Sequence, residues 1–426
     1  MPDPSVETRQ ESPSRAELAR RYTEVRRFSG HICGPLSPED CVIQSMPDVS
    51  PTRWHLAHVT WFFETFVLTP FDGGYRPCHP DYVYLFNSYY NAVGPQFPRP
   101  QRGLVSRPGL AEVHAYRRYV DEAMAKFLEA APEETLAGAA PILEIGLQHE
   151  QQHQELILTD IKHVLSINPL CPAYRGRAPQ PPAKAAPLRW ASFGEGVRRI
   201  GHAGGGFAFD NESPRHRQFL EPYELASRPV TNGEFLDFMR DGGYAQPAHW
   251  LSLGWAKAQE EGWRAPLYWV EREGVWGQFT LAGLQPVDPA EPVCHVSYFE
   301  ADACARWAGA RLPTEGEWEA ASEGLPLEGN FADGGRCHPA PAPQGAKCLA
   351  QMFGDVWEWT SSSYAPYPGY RAAEGALGEY NGKFMCNQYV LRGGSCATSR
   401  NHVRRTYRNF FPPEARWQFM GFRIAR

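Results

Sequence analysis

Much of what the 426-residue chain could have been is excluded by what it lacks. No apolar run approaches the ~20 residues needed to cross a bilayer, which points to a globular protein without a membrane partner. The opening residues, Met1 to Glu11, are polar and acidic, with no apolar stretch after a basic start, so nothing there resembles a secretion signal and a cytoplasmic address is expected. The ten cysteines are scattered and never form a C-x-x-C pair, which in a reducing compartment reads as free or buried thiols and not as a disulfide framework. A formal charge of -6 with both signs interspersed leaves no basic stripe to neutralise phosphates, so nucleic acid is not an expected partner. A G-x-x-x-x-G-K-[ST] phosphate loop is absent as well. What is present, 42% hydrophobic and 13% aromatic residues, can fill ordinary cores. The length exceeds the roughly 250 to 300 residues that one core organises, so two domains are expected.

The first third carries helical signals. Ser14-x-x-Glu17 is a capping box ahead of an apolar stripe at Leu18, Tyr22, Val25 and Phe28. A second helix is expected from Ser50, with Pro51 at its first helical position and Trp54, His58, Trp61 and Phe62 on one face. A third follows in Val113, Tyr116, Val120, Ala123 and Phe127, and a fourth from about Ile142 to Leu165 through Ile145, His149, His153 and Leu156. Four such helices with one long connection, Thr69 to Gly109, predict a four-helix bundle over 14–167 with its site between helices. A linker rich in proline, alanine, arginine and glycine, placed at 168–188, ends in the run Pro179 to Pro187. Over 189–426 the helical periodicity shrinks to pieces such as Asn232 to Met239 and Tyr298 to Trp307. With 39 glycines and 39 prolines in the chain, an α+β domain of brief strands and long loops is expected there.

The sharpest local signal is His149-Glu-Gln-Gln-His153, since residues four apart share a helix face and two imidazoles there can hold one ion. The segment also satisfies the H-E-x-x-H pattern in which the glutamate, here Glu150, is a general base for zinc-dependent hydrolysis. Against that stands His58, a third candidate ligand on the tryptophan-rich face of its own helix, where an unpaired imidazole would be costly to bury. His55, one turn earlier, is expected to support the site or face solvent, as are His31, His114 and His163. Three neutral imidazoles would leave an Fe(II) ion its full charge and about three open positions, whereas a closed structural zinc site would use four protein ligands.

These residues, with the segments Phe209-Asp-Asn-Glu-Ser-Pro, Pro229-Val-Thr-Asn-Gly-Glu, Arg311-Leu-Pro-Thr-Glu-Gly-Glu-Trp-Glu, Gly354-Asp-Val-Trp-Glu-Trp, Leu391-Arg-Gly-Gly-Ser and Gly421-Phe-Arg, carry a family resemblance. The first half resembles the DinB-like metal-binding bundle. The second resembles the formylglycine-generating-enzyme fold, a C-type-lectin-like domain. Fused in this order, they resemble the sulfoxide synthases of ergothioneine biosynthesis over nearly the whole chain after about Ser14. The resemblance implies an O2- and Fe(II)-dependent bond between the sulfur of cysteine, or of a cysteine peptide such as γ-glutamylcysteine, and C2 of the imidazole of hercynine, with the sulfur oxidised to the sulfoxide. His58, His149 and His153 match the family's ligands. Gln152 and Asn409 match positions that hold hercynine, and the neighbouring Phe410 and Phe411 belong to the same substrate-binding stretch, where aromatic faces suit a trimethylammonium group. Arg99 and Arg102 repeat the family's pair of arginines for the thiol's carboxylate. Members that use γ-glutamylcysteine carry an aspartate where this chain has Phe411, so free cysteine is the expected thiol. The family's proton donor is a tyrosine; Tyr89 and Tyr90 are the first candidates, and Tyr380 lies nearer the family's usual position.

Other readings are a DinB-like metal-dependent thiol transferase, which leaves the second domain without a role, a lectin-like binding module on a metal-stabilised bundle, and an ovothiol-type enzyme joining cysteine to C5 of unmethylated histidine. A copper-dependent formylglycine generator would need a second thiol where Asn401 follows Cys396.

Overall fold

The computed structural model describes residues 13–176, 183–345 and 349–426. Met1 to Glu11, part of the Pro179 to Pro187 run and Cys348 lie outside the described residues. The chain forms two compact units. One takes in the chain through Ile167 together with Ala203–Phe207 and Ala373–Tyr380; the other takes in the remainder.

The first unit is built on four helices, α1 Arg15–Cys33, α2 Thr52–Phe63, α3 Leu110–Ala130 and α4 Glu133–Ser166. Ser14 caps α1 by accepting from the Glu17 N–H, as its capping sequence predicts. Its buried line differs from the expected stripe. After Leu18 and Tyr22 it runs through Arg26, Ser29 and Cys33, while Val25 and Phe28 are only half-buried. Two polar residues can occupy that seam because both bond to a buried carboxylate on α4, described below. The fourth helix begins nine residues earlier than expected, at Glu133, and carries Pro141 in its interior; Pro141 is exposed, so its ring projects away from the packed face. Pro51 lies at the N-cap of α2 and not at its first helical position.

Every residue of α2 is buried, as is almost every residue of α4 from Gly146 to Leu165, so these two form the centre of the bundle, with α1 and α3 packed around them. Their approach is close: a Cβ on Gly146 would lie 2.6 Å from the ring of Phe63 and 2.9 Å from that of Phe62. Past Phe63, α2 widens into a π-turn over Glu64–Leu68. Buried Glu64 there accepts from the hydroxyls of Tyr75 and Tyr116, both at 2.6 Å, and from the Cys78 N–H. That carboxylate ties the long connection to the bundle. Further along it, the Trp54 indole N–H bonds Leu85 O, and Arg53 donates to Ser106 O and Pro108 O.

Among the described residues the second unit holds four small sheets. The largest orders its strands Asn409–Phe411, Tyr389–Arg392, Trp357–Ser363 and Met420–Phe422, the first two pairings antiparallel and the last parallel. Its core gathers about Trp318, Phe353, Leu225 and Val403. Three short helices, Asn232–Arg240, Tyr298–Trp307 and Glu315–Ala321, start with complete capping boxes at Thr231/Glu234, Ser297/Glu300 and Thr314/Glu317. Buried arginine forks join the loops: Arg423 grips Glu358, which also accepts from the Trp318 indole, and Arg408 grips Glu315. No helix among the described residues is long and apolar enough to cross a membrane.

Candidate metal centre

His58 on α2 and His149 and His153 on α4 bring one ligand atom each to within 4.8 Å of one another, all buried. The helical spacing of four places the last two on one face, and α2 lays His58 opposite them. The ring of His58 is stacked between Trp54 at 4.6 Å and Trp61 at 5.6 Å, its neighbours one turn either side. Its Nδ1 bonds Phe86 O at 2.5 Å, so that nitrogen carries the proton and Nε2 is bare. The His58 Nε2 stands 3.1 Å from the His149 Nε2. Burial lowers the proton affinity of all three rings, that of His149 to about 3, so they are neutral near pH 7. Three neutral imidazoles converging at this distance form a donor set that a divalent metal fits.

Glu150, the residue that made the H-E-x-x-H pattern, does not face this set. One position further along, about 100° round the helix, it is fully buried on the flank that meets α1 and α3, bonded to Arg26, Arg117 and Ser29 at 2.9, 2.7 and 2.6 Å. Burial alone would raise its pKa; Arg117 and Arg26 outweigh that and hold it at about 2. It is a carboxylate strut between helices, so the H-E-x-x-H match places no general base beside the histidines.

His55 is buried, not exposed. Its Nδ1 lies 2.8 Å from the His153 Nδ1 and its Nε2 3.0 Å from Asp160 Oδ2. Asp160 follows His153 by seven residues, two turns on the same face, a spacing that could have flagged it. Of the two arginines, Arg102 is buried, with its guanidinium 3.4 Å above the Trp54 ring, and donates to Ser50 Oγ and Ser88 Oγ at 2.9 and 3.1 Å. No carboxylate among the described residues forms an ion pair with it, and burial lowers its pKa well below the usual arginine value. Arg99 is exposed and bonds Asp48 O.

Gln152 is half-buried beside the histidines and accepts a hydrogen bond from the Tyr380 hydroxyl. The Tyr380 ring lies edge-on to His149 at 5.7 Å. Tyr89 stands 6.1 Å from Tyr380 and 4.7 Å from Tyr90, whose ring is fully buried against Trp61, Phe62 and Phe66. Burial pushes the hydroxyls of Tyr89 and Tyr90 up, so both remain protonated. In the second unit, Asn409, Phe410 and Phe411 form an outer strand of the four-stranded sheet. Phe410 stacks on Tyr364 at 4.0 Å with Phe384 at 5.9 Å, and Phe411 meets Trp417 edge-on.

Two family models match the chain, the DinB superfamily over residues 21–157 and the sulfatase-modifying factor enzyme 1-like domain over 194–347 and 342–426. The hercynine oxygenase of Mycolicibacterium thermoresistibile is 33% identical over 448 residues, covering 97% of this chain and 95% of that protein. The hercynine oxygenase of Mycobacterium tuberculosis is 34% identical over 403 residues, covering 89% and 91%. The formylglycine-generating enzyme of Streptomyces coelicolor is 30% identical over 278 residues, 52% of this chain and 83% of that protein.

Proposed function

Because the chain belongs to the hercynine oxygenase family, we propose that it joins the sulfur of cysteine to C2 of the hercynine imidazole, with O2 as oxidant, giving hercynylcysteine sulfoxide in ergothioneine biosynthesis. The thiol S–H and the imidazole C–H are exchanged for a C–S bond; one oxygen atom goes to sulfur and the other leaves as water. Fe(II) held by His58, His149 and His153 would supply activation of O2 and a seat for the thiol sulfur. The observation that carries the reading is the convergence of three buried, neutral imidazoles beside a buried guanidinium that lacks a carboxylate partner among the described residues.

Each residue then has a task. Arg102 receives the carboxylate of cysteine, because a buried cation bonded only to hydroxyls gains most from an arriving anion. Exposed Arg99 adds to the positive field on the same turn. Gln152 is assigned to hercynine, and Asn409, Phe410 and Phe411 keep the substrate-binding role that the family resemblance implies. Tyr380 is assigned as the proton donor, because its ring lies against His149 and its hydroxyl is already hydrogen-bonded in the site. Tyr89 backs it, and Tyr90 packs behind both. The aromatic residue at position 411 favours cysteine over γ-glutamylcysteine. A reducing, cytoplasmic setting fits nine described cysteines without a disulfide.

The test is O2 consumption by the Fe(II)-loaded protein with hercynine and cysteine, each omitted in turn, with products identified by mass. Uptake only with both, giving their adduct plus one oxygen atom, is the expected result; no uptake with any thiol would overturn the reading. The cysteine preference fails if γ-glutamylcysteine gives the higher kcat/KM.

A further inference from the structure

The three imidazoles are held from behind in three different ways. His58 donates its Nδ1 proton to a neutral backbone oxygen, Phe86 O. The His149 Nδ1 is buried without a hydrogen-bond partner among the described residues. Among the described residues only His153 is backed by a chain of side chains that ends in a carboxylate, running from the His153 Nδ1 to the His55 Nδ1 at 2.8 Å and from the His55 Nε2 to Asp160 Oδ2 at 3.0 Å. Every member of this chain is buried.

The positions of the protons follow from bonding rules. Asp160 Oδ2 also accepts the Ser50 N–H at 2.9 Å, so it is an acceptor, and the His55 Nε2 facing it carries a proton. A neutral His55 then has a bare Nδ1, which accepts the proton on the His153 Nδ1. The nitrogen left to His153 for a metal is Nε2, with its lone pair available. The reverse arrangement would make His55 a buried cation and place a proton on the His153 Nε2, which could then ligate nothing. We propose that His55 and Asp160 are positioning residues: they lock His153 as an Nε2 donor and, through the carboxylate's charge, strengthen its donation to the metal. This rests on the reading of His58, His149 and His153 as the metal ligands. The same carboxylate touches the Arg102 side of the site, because Ser50, whose N–H it accepts, takes the Arg102 Nη1–H on its hydroxyl at 2.9 Å.

Co(II) affinity of the full-length protein, measured by competition with a chelator and followed by the visible d–d absorption, tests the proposal without turnover. Asp160→Asn keeps an oxygen for His55 and Ser50 but removes the charge. His55→Phe keeps the ring volume but removes the acceptor, and His55→Gln restores an acceptor. The expected result is a ~10–100-fold weaker affinity for His55→Phe, a smaller loss with a shifted absorption band for Asp160→Asn, and partial recovery in His55→Gln. Wild-type affinity and spectrum in Asp160→Asn, together with equal affinities of the two His55 variants, would overturn the assignment. Failure of the wild-type protein to bind Co(II) at all would overturn the ligand reading itself, and the proposal with it. Asp160→Asn preserves shape and hydrogen bonds to Ser50, so it decides the question even where a His55 variant does not fold.

Discussion

The two units solve the burial of charge differently. In the bundle, Glu150 is shared by Arg26 and Arg117 across three helices, on the flank of the histidine face of α4. In the second unit the fork Arg423–Glu358 ties the ends of two neighbouring strands, Arg408–Glu315 ties a strand end to a short helix, and the helix starts are closed by capping boxes. One pattern braces long helices whose side chains recur every turn; the other stitches short elements that could not hold their places alone. The bundle therefore concentrates its polar bonding behind one site, while the second unit distributes it over the fold.

The comparison is sharpened first by removing a ligand. His153→Ala should abolish metal binding and turnover while leaving the thermal transition of the second unit unchanged; metal analysis and calorimetry check both, and a wild-type metal content in the variant would break the assignment. Next, Glu150→Gln strands two buried guanidinium groups and should cost about 3–5 kcal/mol in the bundle's stability, measured by denaturant titration. The wild-type protein should show the same dependence as pH falls. The folded pKa of Glu150, about 2, lies below its ordinary 4.5, so its contribution is complete above pH 4.5 and drains away towards pH 2. Acid titration followed by circular dichroism should find helix loss in that window, and Glu150→Gln should flatten it. The smallest effect belongs to the other pattern: Thr314→Ala removes one cap, whose hydroxyl accepts the Glu317 N–H at 3.1 Å, and should lower the second unit's stability by about 1 kcal/mol with turnover retained.

The helical bundle and its successor were legible in the sequence for different reasons. Stripes of period 3.6 marked the four helices, and His149 and His153 could be placed on one face from spacing alone. The second unit was legible from its motifs, because strands of three to seven residues carry too few alternations to announce themselves. What escaped was set by contacts across elements. Arg26 and Ser29 stood outside the expected apolar stripe, since nothing local shows the Glu150 carboxylate that they bond. The H-E-x-x-H pattern could offer Glu150 as a base because five letters do not say which side of the helix faces the partner. The expected start of α4 at about Ile142 fell inside the helix, which runs on through Pro141 because an exposed proline leaves the packed face intact. His55 and Asp160 sit at spacings that, with His58 and His153, pick out one face of each helix, yet nothing local says that the two faces meet.

Gly146 has the rings of Phe62 and Phe63 where its side chain would be, so the gap between α2 and α4 is gauged by the thickness of those rings. The 3.1 Å between His58 and His149 is read off that gauge one turn further along. A single methyl at position 146 would have to push a ring aside or shim the helices apart, so the calibration of the donor set resides in a residue that bears no donor.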